Sequence, residues 1–169
     1  VAKVWKTRPQ WTYRHADCRA KASDWTIAGK AWSSKLPPEG WGVSDAPAAI
    51  KTNVMNSPMA DELTGDAARH LVKTLKLGQG PAPDLLAVSF SATDFVGHRY
   101  GSRGPEMCEE LHRLDETIGR LFADLDRLHV PYLVVLSADH GGSDFTERLR
   151  AQGYPMAKRV NSAEVMGRV

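Results

Sequence analysis

The sequence predicts an α/β fold, in which a partial parallel sheet has flanking helices. Two short apolar runs, 85–90 and 132–136, are typical of strands that are buried on both faces. Between them, residues 105–128 repeat apolar side chains along one stripe, which predicts a long helix. Two buried strands joined by a helix run parallel with a right-handed connection, so this order indicates part of a parallel sheet.

Residues 1–56 are predicted to be an irregular, tryptophan-rich elaboration on that core. They contain all five tryptophans and four of the ten prolines, and neither a helical nor a strand period persists there. We expect the aromatic side chains to anchor this segment on the α/β part, which is predicted to comprise residues 57–169.

The α/β part opens with a helix that is predicted to begin at Ser57 and to stop at Gly78. Ser57 suits the N-cap and Pro58 the first helical position, and the acidic Asp61 and Glu62 complement the helix dipole. Apolar residues recur four positions apart along this stretch, so one face is predicted to be buried.

Beyond the first predicted strand, the polar stretch 91–104 is predicted to be a loop. A long helix then begins at Pro105, and a further short helix is expected between 145 and 152. The predicted apolar stripe of the long helix consists of Met107, Leu111, Leu114, Ile118, Leu121, Leu125 and Leu128.

Charge and composition argue against nucleic-acid and membrane partners. The net charge is only +2, and no apolar stretch approaches the roughly 20 residues that a membrane helix needs. Residues 1–35 hold eight Lys/Arg and only two Asp, which fits either a solvated surface or a contact with an anionic substrate. Cys18 and Cys108 have no metal-binding spacing, and their redox state stays open.

Residues of the kind that bind metals follow both predicted strands. Asp94 and His98 come after the first strand, and Asp139 and His140 come after the second. Ligands of open α/β sheets bind beyond the carboxyl ends of the strands, so we expect all four side chains to meet at one rim. Two carboxylates and two imidazoles suit zinc or a similar divalent ion. Either pair alone also fits a capped loop or a turn; both at equivalent strand ends favour a metal site.

No catalytic nucleophile is predicted in this chain. Hydroxyl side chains lie near the strand ends, but the G-x-S-x-G pattern of a catalytic serine is missing, as are the P-loop and GxGxxG patterns. We expect these hydroxyls to hold loop backbone or to orient metal ligands; they are Ser89, Ser91, Thr93 and Ser137. The remaining histidines are predicted to be structural or surface residues: His15, His70, His112 and His129.

Residues 93–101 (TDFVGHRYG), followed by 138–141 (ADHG), resemble the type I phosphodiesterase/nucleotide pyrophosphatase group of the alkaline phosphatase superfamily. Within it, the chain is most similar to bacterial periplasmic alkaline phosphatases with a threonine nucleophile. The resemblance covers residues 57–150 and implies a periplasmic or secreted hydrolase of small phosphate esters that contains two zinc ions. It implies that Asp94 and His98 bind the first ion and that Asp139 and His140 bind the second. Such ions, about 3.5–4 Å apart, clamp the attacking and leaving oxygens of an in-line displacement.

The chain lacks part of the family's site. The threonine nucleophile and another zinc-binding aspartate lie upstream of the matching segment in that family, and a last histidine ligand lies downstream, whereas no histidine follows His140 here. Each ion would then have two of its usual four ligands. We therefore expect an internal segment of a larger hydrolase domain, inactive alone, with weak or absent zinc binding. Exposed sheet edges would allow it to oligomerise.

Two alternatives stay open. One is an arylsulfatase or phosphomutase relative of the same superfamily, although the spacing of Gly97 and His98 favours a phosphate-ester hydrolase. The other is a non-catalytic module, in which the Asp/His rim is vestigial and the basic, tryptophan-rich segment binds a partner. Zinc titration and a phosphatase assay of the parent protein would separate the second alternative from the enzyme.

Overall fold

The computed structural model describes residues 11–41 and 46–167. The elements in these ranges are α1 (Ala16–Arg19), β1 (Asp24–Ile27), β2 (Lys30–Ser33), α2 (Pro47–Met55), α3 (Met59–Thr74), α4 (Ala92–Tyr100), α5 (Pro105–Arg127), α6 (Thr146–Ala151) and α7 (Ser162–Met166). None of the helices in the described ranges is long and apolar enough to cross a bilayer.

Helices α3, α4 and α5 pack against one another and form the frame of the molecule. The predicted helices at α3, α5 and α6 are confirmed, with ends shifted by a few residues. The Ser57 hydroxyl is not the N-cap of α3, because it donates to the carbonyl of Val54 at 2.8 Å and so closes the end of α2. Pro105 stands at the start of α5, where its missing N–H costs nothing.

The predicted parallel sheet is not confirmed. In the described residues the only sheet is the antiparallel pair β1–β2, and neither 85–90 nor 132–136 belongs to a strand. Leu86 and Val88 still pack on the core, but Leu85 and Leu133 are each 91% exposed. An apolar run indicates a tendency to be buried; a strand also needs a neighbour whose backbone N–H and C=O groups pair with its own.

The predicted loop 91–104 is also wrong, because residues 92–100 form α4. The first N–H of this helix donates to the buried Asp61 carboxylate at 3.0 Å. A partner 31 residues away leaves no local signal in the sequence, so the short stretch reads as a polar loop.

The tryptophan-rich segment is more regular than predicted. Residues 1–10 and 42–45 lie outside the described residues, but 11–56 contain α1, the hairpin and α2. The hairpin turns through Ala28 (φ 50°) and Gly29 (φ 77°). Both are left-handed, as a two-residue type I′ turn requires. That turn normally carries Asn-Gly or Asp-Gly. Because alanine stands in the first position here, the sequence does not predict the hairpin.

Three of the tryptophans, Trp11, Trp32 and Trp41, pack behind α4. Trp11 is fully buried in a cluster with Val96, Tyr100 and Met107. Its ring centroid lies 5.0 Å from that of Tyr100, in edge-to-face geometry, and Trp32 approaches the same ring at 5.6 Å. The N-terminal segment therefore supports the helix that carries Asp94 and His98.

The predicted apolar stripe of α5 packs on the core in part, and the buried face of this helix is largely charged. Met107 and Leu121 are buried, but Leu111 is 51% exposed. Two of the buried charged residues have partners on α3 and the N-terminal segment: Arg113 bonds Glu62, and Glu109 accepts from the backbone of Arg14 and His15. The buried polar residues of α5 are Glu106, Glu109, Glu110, Arg113, Thr117 and Asp124.

A disulfide joins Cys18 of α1 to Cys108 of α5 across 90 positions of the sequence. It fastens the N-terminal segment to the central helix and answers the question of the cysteines' redox state.

Candidate metal centre

Helix α4 positions the first predicted pair. Asp94 and His98 are four residues apart and therefore share one helix face. His98 Nε2 lies 3.3 Å from Asp94 Oδ1. The helix ends at Gly101 (φ 85°), where a Cβ would lie 2.2 Å from Asp144 Oδ1, so only glycine fits.

The second pair is arranged by local hydrogen bonds. The backbone N–H of His140 donates to Asp139 Oδ1 at 3.0 Å, and His140 Nε2 lies 3.6 Å from Asp139 Oδ2. Nδ1 of His140 is 3.0 Å from the carbonyl of Gly141. A carbonyl only accepts, so Nδ1 carries the proton and the neutral ring keeps a lone pair on Nε2, which is the state that a metal ligand needs.

The two pairs meet, as the sequence predicts. His140 Nε2 lies 3.6 Å from Asp94 Oδ1, so Asp94 stands between the two imidazoles. Two ligand atoms on one tetrahedral zinc are about 3.3 Å apart, given metal–ligand distances near 2.0–2.1 Å. The distances within the two pairs, 3.3 Å and 3.6 Å, are near that value.

The rim is open to solvent. The side chains of His98 and Asp139 are 79% and 88% exposed, and those of Asp94 and His140 are about half exposed. A cavity of about 540 Å³ lies instead between α2 and α3, with walls that include Ile50, Val54 and Leu63, and none of the four rim residues lines it. The rim is thus a surface site with room for further ligands.

The environment favours the protonated form of His140. The hydrogen bond to the Gly141 carbonyl, followed by the charges of Asp139 and Asp94, raises the pKa of His140. Protons and metal ions compete for the same nitrogen, so metal affinity at this histidine falls as the pH is lowered.

Two buried contacts that sequence reasoning missed hold the rim in place. Asp61 binds the first N–H of α4, as described above. Arg148 of α6 bonds Asp144 Oδ1 at 2.7 Å and the Tyr100 carbonyl at 3.3 Å, so it joins the end of α4 to the chain four residues beyond His140. The Asp61 bond and the bond from Arg148 to Tyr100 have no local sequence signal, because their partners are 31 and 48 residues away. The Asp144–Arg148 pair does have one, the four-residue spacing of opposite charges.

Of the hydroxyls near the rim, those of Ser89, Ser91 and Ser137 bond to their neighbours, and that of Thr93 is buried without a hydrogen-bond partner among the described residues. The Ser89 and Ser91 hydroxyls lie 3.3 Å apart, and the Ser137 hydroxyl donates to the carbonyl of Ala138. In the described ranges, none of these bonds joins a hydroxyl to an imidazole, which is the contact that activates a serine nucleophile.

A second group of metal-type side chains lies at the disulfide. Ligand atoms of Asp17, Cys18, Cys108 and His112 are all within 4.8 Å of one another. The disulfide takes both sulfurs, and metals bind thiolates. The remaining Asp17 and His112 pair with each other at 3.2 Å, and this hydrogen bond is the main cause that lowers the pKa of Asp17. The expectation that His112 is structural agrees with this pairing.

The helical frame and the Asp/His rim define a candidate metal site. The chain belongs to the type I phosphodiesterase/nucleotide pyrophosphatase family, whose family model matches residues 2–156. The predicted resemblance to the alkaline phosphatase superfamily is thereby confirmed.

Curated relatives include several alkaline phosphatases. The chain is 52% identical over 107 residues to alkaline phosphatase PhoD of Zymomonas mobilis, and 41% identical over 107 residues to alkaline phosphatase PhoK of a Sphingomonas species. Each match covers 63% of this chain and 19% of the relative. Ectonucleotide pyrophosphatase/phosphodiesterase family member 7 of Homo sapiens is 33% identical over 67 residues, which cover 38% of this chain and 15% of that protein. The chain thus spans about a fifth of the length of its alkaline phosphatase relatives.

Proposed function

We propose that this chain is part of a two-zinc phosphate-ester hydrolase. Asp94 and His98 bind one ion, and Asp139 and His140 bind the other. The observation that carries the proposal is the position of Asp94 Oδ1, which lies 3.3 Å from His98 Nε2 and 3.6 Å from His140 Nε2. Two residue pairs separated by about 40 positions in the sequence are brought to one rim.

The donor atoms support zinc as the metal. Each pair offers one carboxylate oxygen and one imidazole nitrogen, a combination common in zinc sites. The hydrogen bond from His140 Nδ1 to the Gly141 carbonyl fixes the tautomer that exposes Nε2, as outer contacts of zinc histidines commonly do. Asp94 lies between the imidazoles, so its carboxylate sets the spacing between the two halves.

Divalent ions in these positions would polarise a phosphoryl oxygen and lower the pKa of a coordinated hydroxyl. The contribution of this chain is to hold and orient ligands: α4 fixes Asp94 and His98, and Arg148 ties that helix to the segment beyond His140.

We propose that the attacking hydroxyl and the remaining ligands come from outside this chain. Two protein ligands for each ion fall short of a four-coordinate shell, and among the described residues no hydroxyl near the rim bonds an imidazole that could activate it. The chain by itself is therefore inactive and binds zinc weakly.

The substrate class is a small phosphate ester, as the names of the alkaline phosphatase and phosphodiesterase relatives suggest. The family match favours this class over the sulfatase and phosphomutase alternative. The partner-binding alternative loses support because Trp11 is fully buried and Trp32 and Trp41 pack against its cluster, so these side chains belong to the core.

We further propose a periplasmic or secreted location. The Cys18–Cys108 disulfide supports it, because structural disulfides form and persist in oxidising compartments.

Zinc titration of the chain, followed by calorimetry and by NMR of the imidazole nitrogens, tests the rim. We expect the Nε2 signals of His98 and His140 to shift together, with an affinity weaker than about 1 μM because each ion has only two protein ligands. His140→Ala should weaken binding roughly tenfold, whereas His70→Ala, on α3 and bonded within its own helix to Thr74, should leave it unchanged.

Two results would contradict the proposal. If zinc shifts neither His98 nor His140, the rim is not a metal site. A submicromolar affinity would contradict the proposal that this chain supplies only two ligands to each ion. A p-nitrophenyl phosphate assay on the parent protein, with and without His140→Ala, then tests the hydrolase activity itself.

A further inference from the structure

The N-terminus of α4 rests on two carboxyl groups that are buried in contact with each other. Asp61 of α3 and Glu110 of α5 are 1% and 0% exposed, and their carboxyl groups are close enough to interact directly. Asp61 Oδ1 accepts the N–H of Ala92, the first residue of α4. Asp61 Oδ2 and both oxygens of Glu110 have no hydrogen-bond donor among the described residues.

A buried contact between two ionised carboxylates is strongly unfavourable, because like charges repel in a low-dielectric interior. One proton held between them removes the repulsion and joins two of the three oxygens that have no donor. The other ionisable groups that face the pair are Glu62 of α3 and Arg113 of α5. These two already bond each other at 2.6 Å, so the cation is largely engaged with Glu62.

We propose that Asp61 and Glu110 share one buried proton and act together as the positioning pair for α4. Asp61 holds the first turn of the helix, and Glu110, through the shared proton, holds Asp61. Asp94 lies in that same turn, two residues after Ala92. The inference rests on the proposed function only where it takes Asp94 and His98 to be metal ligands; the anchoring of α4 is independent of it.

The pair should respond to alkaline pH. Burial, followed by the charge of Asp61, raises the pKa of Glu110 to about 8, and burial raises that of Asp61. A carboxyl whose pKa is raised on folding binds its proton more tightly in the folded state than in the unfolded state. Its stabilising contribution is therefore full below the unfolded value of about 4.5 and is lost as the pH rises through about 8.

The test compares three variants of the chain. Asp61→Asn keeps an oxygen for the Ala92 N–H, and its amide donates to Glu110 without a shared proton. Asp61→Ala removes both contacts. Asp66→Asn is the matched control, because Asp66 is an exposed carboxylate of the same helix. The readouts are hydrogen exchange at the Ala92 amide and the melting temperature as a function of pH.

At neutral pH, exchange protection at Ala92 should fall by at least about tenfold in Asp61→Ala and by less than about threefold in Asp61→Asn and Asp66→Asn. Between about pH 6 and pH 9, the melting temperature should fall more steeply for the wild type and Asp66→Asn than for Asp61→Asn. Unchanged protection in Asp61→Ala, or equal slopes for wild type and Asp61→Asn, would overturn the proposal.

Zinc separates this inference from the proposed function. If zinc binds at His98 and His140, its affinity should be lower in Asp61→Ala than in the wild type and near the wild-type value in Asp61→Asn. If zinc reaches neither histidine while the exchange and pH results hold, the positioning pair stands and the metal assignment fails. If zinc binds equally well in wild type and Asp61→Ala, the pair does not position the metal ligands.

Discussion

Helix α4, which carries Asp94 and His98, is fixed by buried groups on several sides, whereas the segment that carries Asp139 and His140 depends on local hydrogen bonds. Behind α4 lie Trp11 and its aromatic neighbours, and Asp61 holds its first N–H. Before the second pair, by contrast, Leu133 is 91% exposed and lies in no strand. One half of the rim is therefore built on the core of the chain, and the other half lies against it.

The difference bears on metal binding. Ligands on a supported helix lose little freedom when an ion binds, whereas ligands on an exposed segment must be ordered at that moment, and this costs affinity. Arg148 is the link between the halves, because it bonds both the Tyr100 carbonyl and Asp144. Substitutions in the aromatic cluster behind α4, at Arg148 and in the segment beyond His140 test this contrast.

The largest expected effect is at the aromatic support. Trp11→Ala removes a fully buried side chain from the cluster behind α4 and should lower the free energy of unfolding by about 3–5 kcal/mol. Leu133→Ala, a similar truncation in the exposed segment, should change it by less than about 0.5 kcal/mol. Urea unfolding followed by circular dichroism measures both. Similar losses in the two variants would mean that the halves are equally supported.

The link should give the next largest effect. In Arg148→Met, the stem of the side chain remains but Asp144 is left buried without its cation, so the free energy of unfolding should fall by about 3 kcal/mol. The NMR signals of His98 and His140 should then shift at different zinc concentrations, because α4 and the segment of the second pair are no longer joined. The control Arg150→Met changes an arginine of the same helix that lies on the surface. Joint titration of the histidines in Arg148→Met would rule out the linking role.

The sequence predicts the features that depend on local pattern. Proline, glycine and the apolar period identify α3 and α5, and the Asp/His spacing identifies four residues that the structure brings together. What it misses depends on distant partners. Helix α4 begins where Asp61 accepts its first N–H. On the charged face of α5, Arg113 is buried with Glu62 as its partner, and Glu109 is buried where it accepts from the backbone of Arg14 and His15.

The apolar runs 85–90 and 132–136 teach a related lesson. Their composition indicates a tendency to be buried, and Leu86 and Val88 do contact the core. Strand formation, however, is a property of a pair of segments, and a single run carries no information on whether its partner is present.

The smallest expected effect lies beyond the second pair, in α6, where Glu147 accepts from the backbone of Ala28 and from Arg159. The hydrogen bond from Arg159 lowers the pKa of Glu147 to about 2. Because this pKa is depressed on folding, the contribution of Glu147 to stability is present above about pH 4.5 and is lost as the pH falls towards 2.

Arg159→Gln should therefore lower the free energy of unfolding by less than about 1 kcal/mol at neutral pH, since the pair is partly exposed. This deficit in stability should shrink in acid. Urea unfolding at neutral and acidic pH measures it, with Lys158→Gln, an exposed neighbouring cation, as the control. A deficit that stays constant with pH would show that Arg159 acts through packing and not through the charge of Glu147.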